Sequence, residues 1–321
     1  KYDIPGVKGL NAKAFYSFDY TMAQASVYKR PYNLYAVNAS GELTALDYNN
    51  PGTVNRKANP NTGQVIQLSL NYSRKFAEAH NVNAMFLYEE QYNTWEDFYA
   101  QRETYFDSEY LFAGEDTNQI GSMSGIGDKT RRAFIGRVNY DYKSKYMVDF
   151  AFREDASSSF PAASRWGFFP SVSAGWIVTK EGWFPENVVT DFLKFRASYG
   201  VTGADPAGLY DTYTAMTASI SNGSQSTTMY NGQNAVAYNY GSTVSSKKLG
   251  WEQSIQQNYG VDVHFLNKRV MATVDYYVRD SENMIYSTEL PSTTGYTTAQ
   301  NNMVSVRNTG VELTLSLDLL P

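Results

Sequence analysis

Apolar and polar residues alternate with a period of two over most of the chain, and helical periodicity is scarce. Leu10, Ala12, Ala14, Tyr16, Phe18 and Tyr20 are interleaved with Asn11, Lys13, Ser17 and Asp19, with Phe15 breaking the rule. Phe134, Val138, Tyr140 and Tyr142 alternate with Ile135, Arg137, Asn139 and Asp141, and Tyr146, Val148, Phe150 and Phe152 with Met147, Asp149, Ala151 and Arg153. The same alternation runs through Leu193–Tyr199, Trp251–Phe265, Val270–Arg279 and Val311–Asp318. Each segment reads as a strand with one apolar and one polar face.

The connections add a second regularity. Tight turns fall near Tyr142–Lys145 and Leu266–Arg269, an intermediate one at Arg74–Asn81 and a longer one at Lys180–Asp191. Between them lie Gly/Ser/Asn/Tyr-rich stretches: Thr21–Asn61, Asn93–Thr130, Glu154–Arg165, Val201–Leu249 and Asp280–Val304. In an antiparallel meander alternate connections share an end, so all the long ones project from one rim and the tighter ones from the other. That asymmetry predicts an all-β fold, a transmembrane antiparallel β-barrel with long extracellular loops and short periplasmic turns. About ten strands are expected, each of the ~8–12 residues that a tilted crossing needs. A soluble β-sandwich also alternates, but its strands are shorter, about 5–6 residues. Its polar faces would use Lys and Glu freely, where this chain uses Asn, Gln, Ser, Asp and Arg.

Composition sharpens the choice. Tyr 27, Phe 17 and Trp 5 make aromatic residues 15% of the 321, while mean hydropathy is only -0.45. Two interfacial girdles of rings around a polar lumen reconcile those values. With no cysteine there is neither a disulfide framework nor a thiolate metal site. The chain has no apolar run of the roughly eighteen residues required for a membrane-spanning helix, and its first residues have no signal-peptide pattern. A net charge of -5 argues against nucleic acid as a partner.

Candidate chemistry is sparse. Ser245–Lys248 fits S-x-x-K but nothing like S-D-N or K-T-G accompanies it, so a solvated loop is expected. The serines of Gly121–Gly125 are misplaced for a nucleophile elbow. His264 is expected on the polar face of its strand and His80 in a short turn, too far apart for a metal site. The acidic pairs Glu89-Glu90, Glu96-Asp97, Glu115-Asp116 and Glu154-Asp155 read as a hydrated rim. Asn-x-Ser matches at Asn38, Asn71 and Asn222 carry no weight in a bacterial outer membrane. No catalytic residue, metal ligand or cofactor is expected. What remains is aromatic: Tyr210, Tyr213, Tyr230, Tyr238 and Tyr240 in one long stretch and Trp95 in another, suited either to partner or sugar contacts or to packing among the loops.

Several ordered motifs resemble a known family. Asp155-Ala-Ser-Ser-Ser-Phe160 followed by Arg165-Trp-Gly-Phe-Phe-Pro-Ser-Val-Ser-Ala-Gly-Trp176 is similar to a signature segment of SusC-like TonB-dependent outer-membrane transporters. Leu193–Gly200 with Thr202-Gly203, Leu249-Gly-Trp-Glu252, Arg269 with Asp275-Tyr276-Tyr277, Leu290–Gly295 and Val306–Leu315 follow in the family's order. Ala156, Ser159, Val201, Ala204 and Val304 depart from its usual residues. The resemblance implies a barrel of about twenty-two strands around an N-terminal plug, a TonB-contacting segment and a SusD-like surface lipoprotein as lid. Residues 1–321 are then expected to form part of one barrel domain, with plug and remaining strands elsewhere. The expected function is energised import of a glycan or peptide, with no bond made or broken. The alternatives are a passive porin-like channel and a secreted carbohydrate-binding β-sandwich.

Overall fold

The computed structural model describes residues 1–185, 189–213, 216–219, 229–230, 233–234, 237–244, 246 and 248–318, with backbone alone for 122–124 and for the strand residues between 216 and 240. Among the described residues eighteen strands follow in chain order. They are β1 (Tyr2–Asp3), β2 (Leu10–Lys29), β3 (Tyr32–Val37), β4 (Leu43–Tyr48), β5 (Gly52–Phe76) and β6 (His80–Thr104). Next come β7 (Glu115–Tyr142), β8 (Tyr146–Ser157), β9 (Trp166–Ile177), β10 (Thr190–Ala204), β11 (Met216–Ser219) and β12 (Met229–Tyr230). Last are β13 (Gln233–Asn234), β14 (Ala237–Tyr240), β15 (Thr243–Val244), β16 (Glu252–Phe265), β17 (Val270–Glu289) and β18 (Thr298–Leu317). Twelve make one sheet in the order β1-β2-β5-β6-β7-β8-β9-β10-β16-β17-β18-β15; β3 with β4, β11 with β14 and β12 with β13 form separate hairpins. The sheet has ten long strands, the expected number, and seven of them (β2, β7, β8, β10, β16, β17 and β18) carry the alternating segments read in the sequence.

The chain divides into two compact units, residues 1–15, 66–90 and 131–321 forming one and residues 16–65 and 91–130 the other. In the first unit, register places like with like across seven strands. Tyr142, Tyr146, Trp176, Phe195, Val261, Val274 and Leu313 lie in one row. Asp141, Met147, Gly175, Arg196, Gly260, Asp275 and Glu312 form a row on the opposite face. The burial is inverted relative to a soluble sheet: along β8, Tyr146, Val148 and Phe150 are 41–45% exposed while Met147 and Asp149 between them are less so.

Two aromatic belts bound the apolar face. At one end Tyr142 and Tyr146 lie 6.3 Å apart, Tyr146 and Trp176 6.5 Å, and Trp176 and Phe195 6.2 Å. At the other, Phe134 stacks on Trp166 at 6.0 Å and meets Tyr88 at 5.5 Å. Beside this second belt Arg132 pairs with Glu90 at 3.2 Å, and the Tyr88 hydroxyl donates to the same carboxylate at 2.5 Å. From Tyr146 to its upper counterpart Ala156, opposite Trp166, is ten residue steps. That is about 33 Å of strand and about 25 Å of height at a ~40° tilt, the height of an outer-membrane apolar band.

The tight turns lie at the Tyr146 end. Phe76–Ala79, Tyr142–Lys145 and Leu266–Arg269 each close with a hydrogen bond from the fourth N–H to the first carbonyl, and both central residues of each have positive φ. This is the type I′ geometry that matches strand twist. Adjacent turns are latched: Lys145 pairs with Glu181, and Glu181 Oε1 accepts hydrogen bonds from the Tyr146 hydroxyl at 2.6 Å and from Trp176 Nε1 at 2.9 Å.

The long connections differ from expectation. Much of Thr21–Asn61, Asn93–Thr130 and Asp280–Val304, read as loop, is strand: β2 continues to Lys29, β6 to Thr104 and β17 to Glu289, while β7 starts at Glu115 and β18 at Thr298. Within the second unit these extensions pair through side chains, with Thr62 and Thr94 hydroxyls 2.5 Å apart, Asn59 bonded to Asp97, and Arg102 2.7 Å from Asp116. Val54 and Thr104 are fully buried. The β3–β4 hairpin is also strand where loop was expected, with Tyr32 and Tyr48 rings 5.2 Å apart.

Two outcomes test this architecture. In the full-length protein Val172→Arg, on the apolar face in the row of Phe150, is expected to cost about 2–4 kcal/mol, and Ser173→Arg, the next residue but beside Asp149, under about 1; bilayer refolding titrations measure both. The Glu181 carboxyl is drawn from 4.5 down to about 2, first by Lys145 and then by Tyr146 and Trp176. A depressed carboxylate stabilises fully above its unfolded value and loses that stabilisation as pH falls through the folded one. The stability gap between wild type and Glu181→Gln is therefore constant above pH ~4.5 and shrinks towards pH ~2.

Candidate functional site

Two places on the first unit concentrate function-bearing side chains. One is the polar face of the sheet. Arg196 on β10 donates from Nε to Asp262 Oδ2 at 3.0 Å and from Nη2 to Asp275 Oδ2 at 2.7 Å, and Thr273 Oγ1 donates to Asp262 Oδ1 at 3.1 Å. Gly260 makes room for this arrangement: a Cβ there would sit 2.6 Å from Arg196 Cζ and 2.7 Å from Asp275 Oδ1. Arg137 pairs with Asp149 at 2.9 Å. Beside these pairs opens a cavity of about 540 Å³ of mixed lining, with Asn139, Asp149, Ser173 and Asn258 on one hand and Met147 and Ala197 on the other. His264 lies on this face, stacked at 4.7 Å on Phe192 with its Nδ1 shielded and unpartnered. His80 opens β6 rather than sitting in a turn, and its Nδ1 is 2.8 Å from the Tyr140 hydroxyl.

The second place is the base of the Val201–Leu249 connection, where the sequence motifs converge. Phe160, Ala207 and Leu249 form a buried cluster, with Trp251 and Ile285 packed on it. Trp251 lies 5.3 Å from the rings of both Phe160 and Phe169, and its Nε1 donates to the Arg165 carbonyl at 3.0 Å. Ser164 Oγ donates to the Leu249 carbonyl at 2.6 Å. Asn302 clamps Gly250 from both sides, Oδ1 accepting its N–H and Nδ2 donating to its carbonyl, each at 2.9 Å. Asp205 pairs with Arg131 and accepts the Ser157 hydroxyl at 2.8 Å. Gly167 and Gly203 are dictated by the Phe169 ring, from which a Cβ would lie 2.5 and 2.0 Å.

The acidic pairs are not a hydrated rim throughout. Glu89 and Asp155 are buried, 8% and 9% exposed, and Arg153 bridges them at 3.5 and 2.6 Å. Burial of carboxylates at this depth requires such a partner.

Of the aromatic candidates, the structure brings Tyr210 and Tyr213 together, 6.4 Å between ring centres and 51% and 69% exposed, on a turn where the Gly208 N–H bonds Asp211 Oδ2 at 2.7 Å. Trp95 is not in a loop: it lies within β6, half-buried over Gly127, whose Cβ would fall 2.4 Å from the indole. The backbones of Tyr230, Tyr238 and Tyr240 lie in the short hairpins β12–β13 and β11–β14, and their side chains are outside the described residues. Ser245 and Lys247 of the S-x-x-K match are also outside them, as are the side chains of 122–124. Sequence reasoning singled out no member of the Phe160–Leu249 cluster as a contact, nor Asn302 or Asp205. The only signal was their place in or beside the motif runs that resemble the family.

Gly203→Ala should destabilise by about 1–3 kcal/mol through overpacking. Much of that loss should disappear in the Gly203→Ala, Phe169→Ala double variant relative to Phe169→Ala alone, a coupling measured by a double-mutant cycle on unfolding midpoints.

Comparison with known proteins agrees with this architecture. Residues 5–320 match the family described as TonB dependent receptor-like, beta-barrel. TonB-dependent receptor P39 of Formosa agariphila is 28% identical over 270 residues, 83% of this chain and 25% of that protein. TonB-dependent receptor SusC of Bacteroides thetaiotaomicron is 30% identical over 191 residues, 57% of this chain and 18% of that protein. The RagAB peptide importer in its closed-closed state superposes with a TM-score of 0.79 at 25% identity, covering 97% of this chain and 32% of that one. The chain thus spans about a third or less of the length of these relatives. With its apolar face outward, its rings in two belts and its polar face paired inward, the chain belongs to the TonB dependent receptor-like β-barrel family, as a SusC-like transporter barrel of the bacterial outer membrane.

Proposed function

We propose that the full-length protein imports a large polar solute, a glycan or a peptide, across the outer membrane by TonB-driven transport, with a SusD-like surface lipoprotein as lid. In this reading residues 1–321 belong to one barrel domain and supply wall, lumen lining and outer loops, while the plug and the TonB-contacting segment lie elsewhere in the protein. The observation that carries it is the inverted sheet: apolar residues exposed over a height of about 25 Å, polar residues paired on the other face. The RagAB neighbour is titled a peptide importer and the SusC relative a TonB-dependent receptor, which supports import rather than passive diffusion. Transport of this kind makes and breaks no bond in the solute, and the reading invokes none.

The connection after β10 is the candidate lid contact. Its base is packed on Phe160, Leu249 and Trp251, so its tip can engage a partner without disturbing the sheet. Tyr210 and Tyr213 at that base, together with Tyr230, Tyr238 and Tyr240 further along and Trp95 on β6, are the rings proposed to meet lid or solute. Long polar loops are costly to order alone and are fixed by partners.

Deleting Asn222–Tyr240 should weaken co-purification of the lipoprotein and slow uptake while leaving the barrel heat-modifiable and folded. Full stoichiometry of the lid with normal uptake would assign that contact to other loops.

A further inference from the structure

The apolar face is bordered by different charges at its two ends. At the upper end the cations hold carboxylates: Arg132 pairs with Glu90 at 3.2 Å, and Arg307 makes two bonds to Asp280, at 2.6 and 2.8 Å. All four residues lie in phase with the apolar side of their strands. Each stands ten residues from the turn-side end of its strand, at Tyr142, His80, Leu317 and Val270 respectively. At the lower end the cations lie on rings instead. Lys143 Nζ sits 5.4 Å from the centre of the Tyr142 ring, Lys145 Nζ 5.1 Å from Tyr146, and Arg74 Cζ 4.7 Å from Phe76.

A fourth cation joins them. Lys180 Nζ donates to the Ser144 carbonyl at 2.8 Å, and the Lys143 N–H ties this turn to the next through the Ala79 carbonyl at 2.7 Å. The carboxylates at the two turns are Glu181, which pairs with Lys145, and Glu78; Asp141 lies on the opposite face and accepts from Asn81 and the Ser144 N–H. Among the described residues, then, positive charge is in excess at this edge. A ring holds an ammonium group in place without neutralising it, whereas a carboxylate neutralises it. Trp183, three residues past Lys180, packs on Phe184 at 6.3 Å and is largely exposed, as suits an indole at head-group level. Two residues up the wall from the Tyr146–Trp176–Phe195 row, Val148, Ala174 and Ala197 form a shallow apolar strip.

We infer that the Tyr142–Lys145 turn, together with Lys180, is a docking site for an anionic phospholipid of the inner leaflet. The tight turns of an outer-membrane barrel are periplasmic, so this edge meets that leaflet. The phosphate lies against Lys143 and Lys180, where basic groups at a membrane boundary recognise anionic head groups, and an acyl chain runs along the Val148–Ala174–Ala197 strip. The upper edge, with a carboxylate beside each of Arg132 and Arg307, lacks that preference. The inference rests on the place of the wall in the outer membrane and not on any solute.

With the full-length protein in non-ionic detergent, stripped of lipid, native mass spectrometry reads the binding of added phosphatidylglycerol. Lys143→Gln with Lys180→Gln should weaken the tightest site about tenfold or more, since each basic group near an anionic lipid surface contributes roughly fivefold. Lys143→Gln alone, which keeps the Lys180 contact to the wall, should weaken it about fivefold, and Lys143→Arg with Lys180→Arg should bind as wild type. Arg132→Gln with Arg307→Gln removes the same charge at the upper edge and should change nothing. All variants should remain heat-modifiable. Unchanged binding by the lysine-to-glutamine variants, or an equal loss on removing the two arginines, would overturn the inference. Phosphatidylcholine bound as tightly as phosphatidylglycerol would do so too, since the strip would then be an acyl contact without head-group choice. A shift from dimer to monomer in the same spectra with lipid binding intact would make the turn a contact between copies of the protein and overturn it as well.

Discussion

Within hydrocarbon a peptide N–H or carbonyl has no water to pair with, and each unmet group costs several kcal/mol. A strand can cross only if its whole ladder is satisfied by neighbours. In this chain that constraint is met by ten long antiparallel strands, each following its neighbour in sequence. Once the ladder is set, the face of every side chain follows, because successive residues point opposite ways and a slip of one residue would invert the entire set. The row from Tyr142 to Leu313 and the row from Asp141 to Glu312 are adjacent in sequence and face opposite ways on all seven strands they cross; the first is wholly aromatic or aliphatic, and every charge of the pair lies in the second.

The polar side of such a wall faces away from hydrocarbon, and its charges are neutralised in place. Arg196 satisfies two carboxylates from neighbouring strands, Arg153 two more, and Arg137 one. Breaking a shielded pair leaves a charge without a partner, which is far worse than never having placed the pair there. Glycine is what makes the geometry possible at Gly260, where any side chain would occupy the space of the Arg196 guanidinium. The same device appears with rings: Phe152 covers its cross-strand partner Gly136, and Tyr277 covers Gly310.

The rim obeys different physics. Above the membrane, backbone groups can find water, so stability there comes from a small apolar cluster and a few clamps. Phe160, Leu249 and Trp251 hold the base of a long connection, Asn302 pins Gly250, and Asp205 ties that base to Arg131 and Ser157. A loop fixed at its root can change composition at its tip without cost to the wall, which is how one scaffold comes to serve different solutes.

The alternation of residues determined the strands that face hydrocarbon, their number, their two faces and the tight turns, because a medium that excludes polar groups from one side imprints a period of two on the sequence. The ordered motifs from Asp155 to Leu315 carried the family. What the sequence did not reveal lies where that imprint fades. Lys29, Thr104 and Glu289 end strands that run well beyond the alternating stretches, and there the period of two is lost, so strand and loop look alike. Trp95 read as a loop ring for that reason and proved to be a strand residue over Gly127. The Ser164–Leu249 and Arg165–Trp251 contacts join residues about eighty-five apart, and no local pattern encodes a partner at that distance. Only the tertiary structure decided which motifs meet, because the meeting is set by strand register across the sheet and not by the identity of either residue.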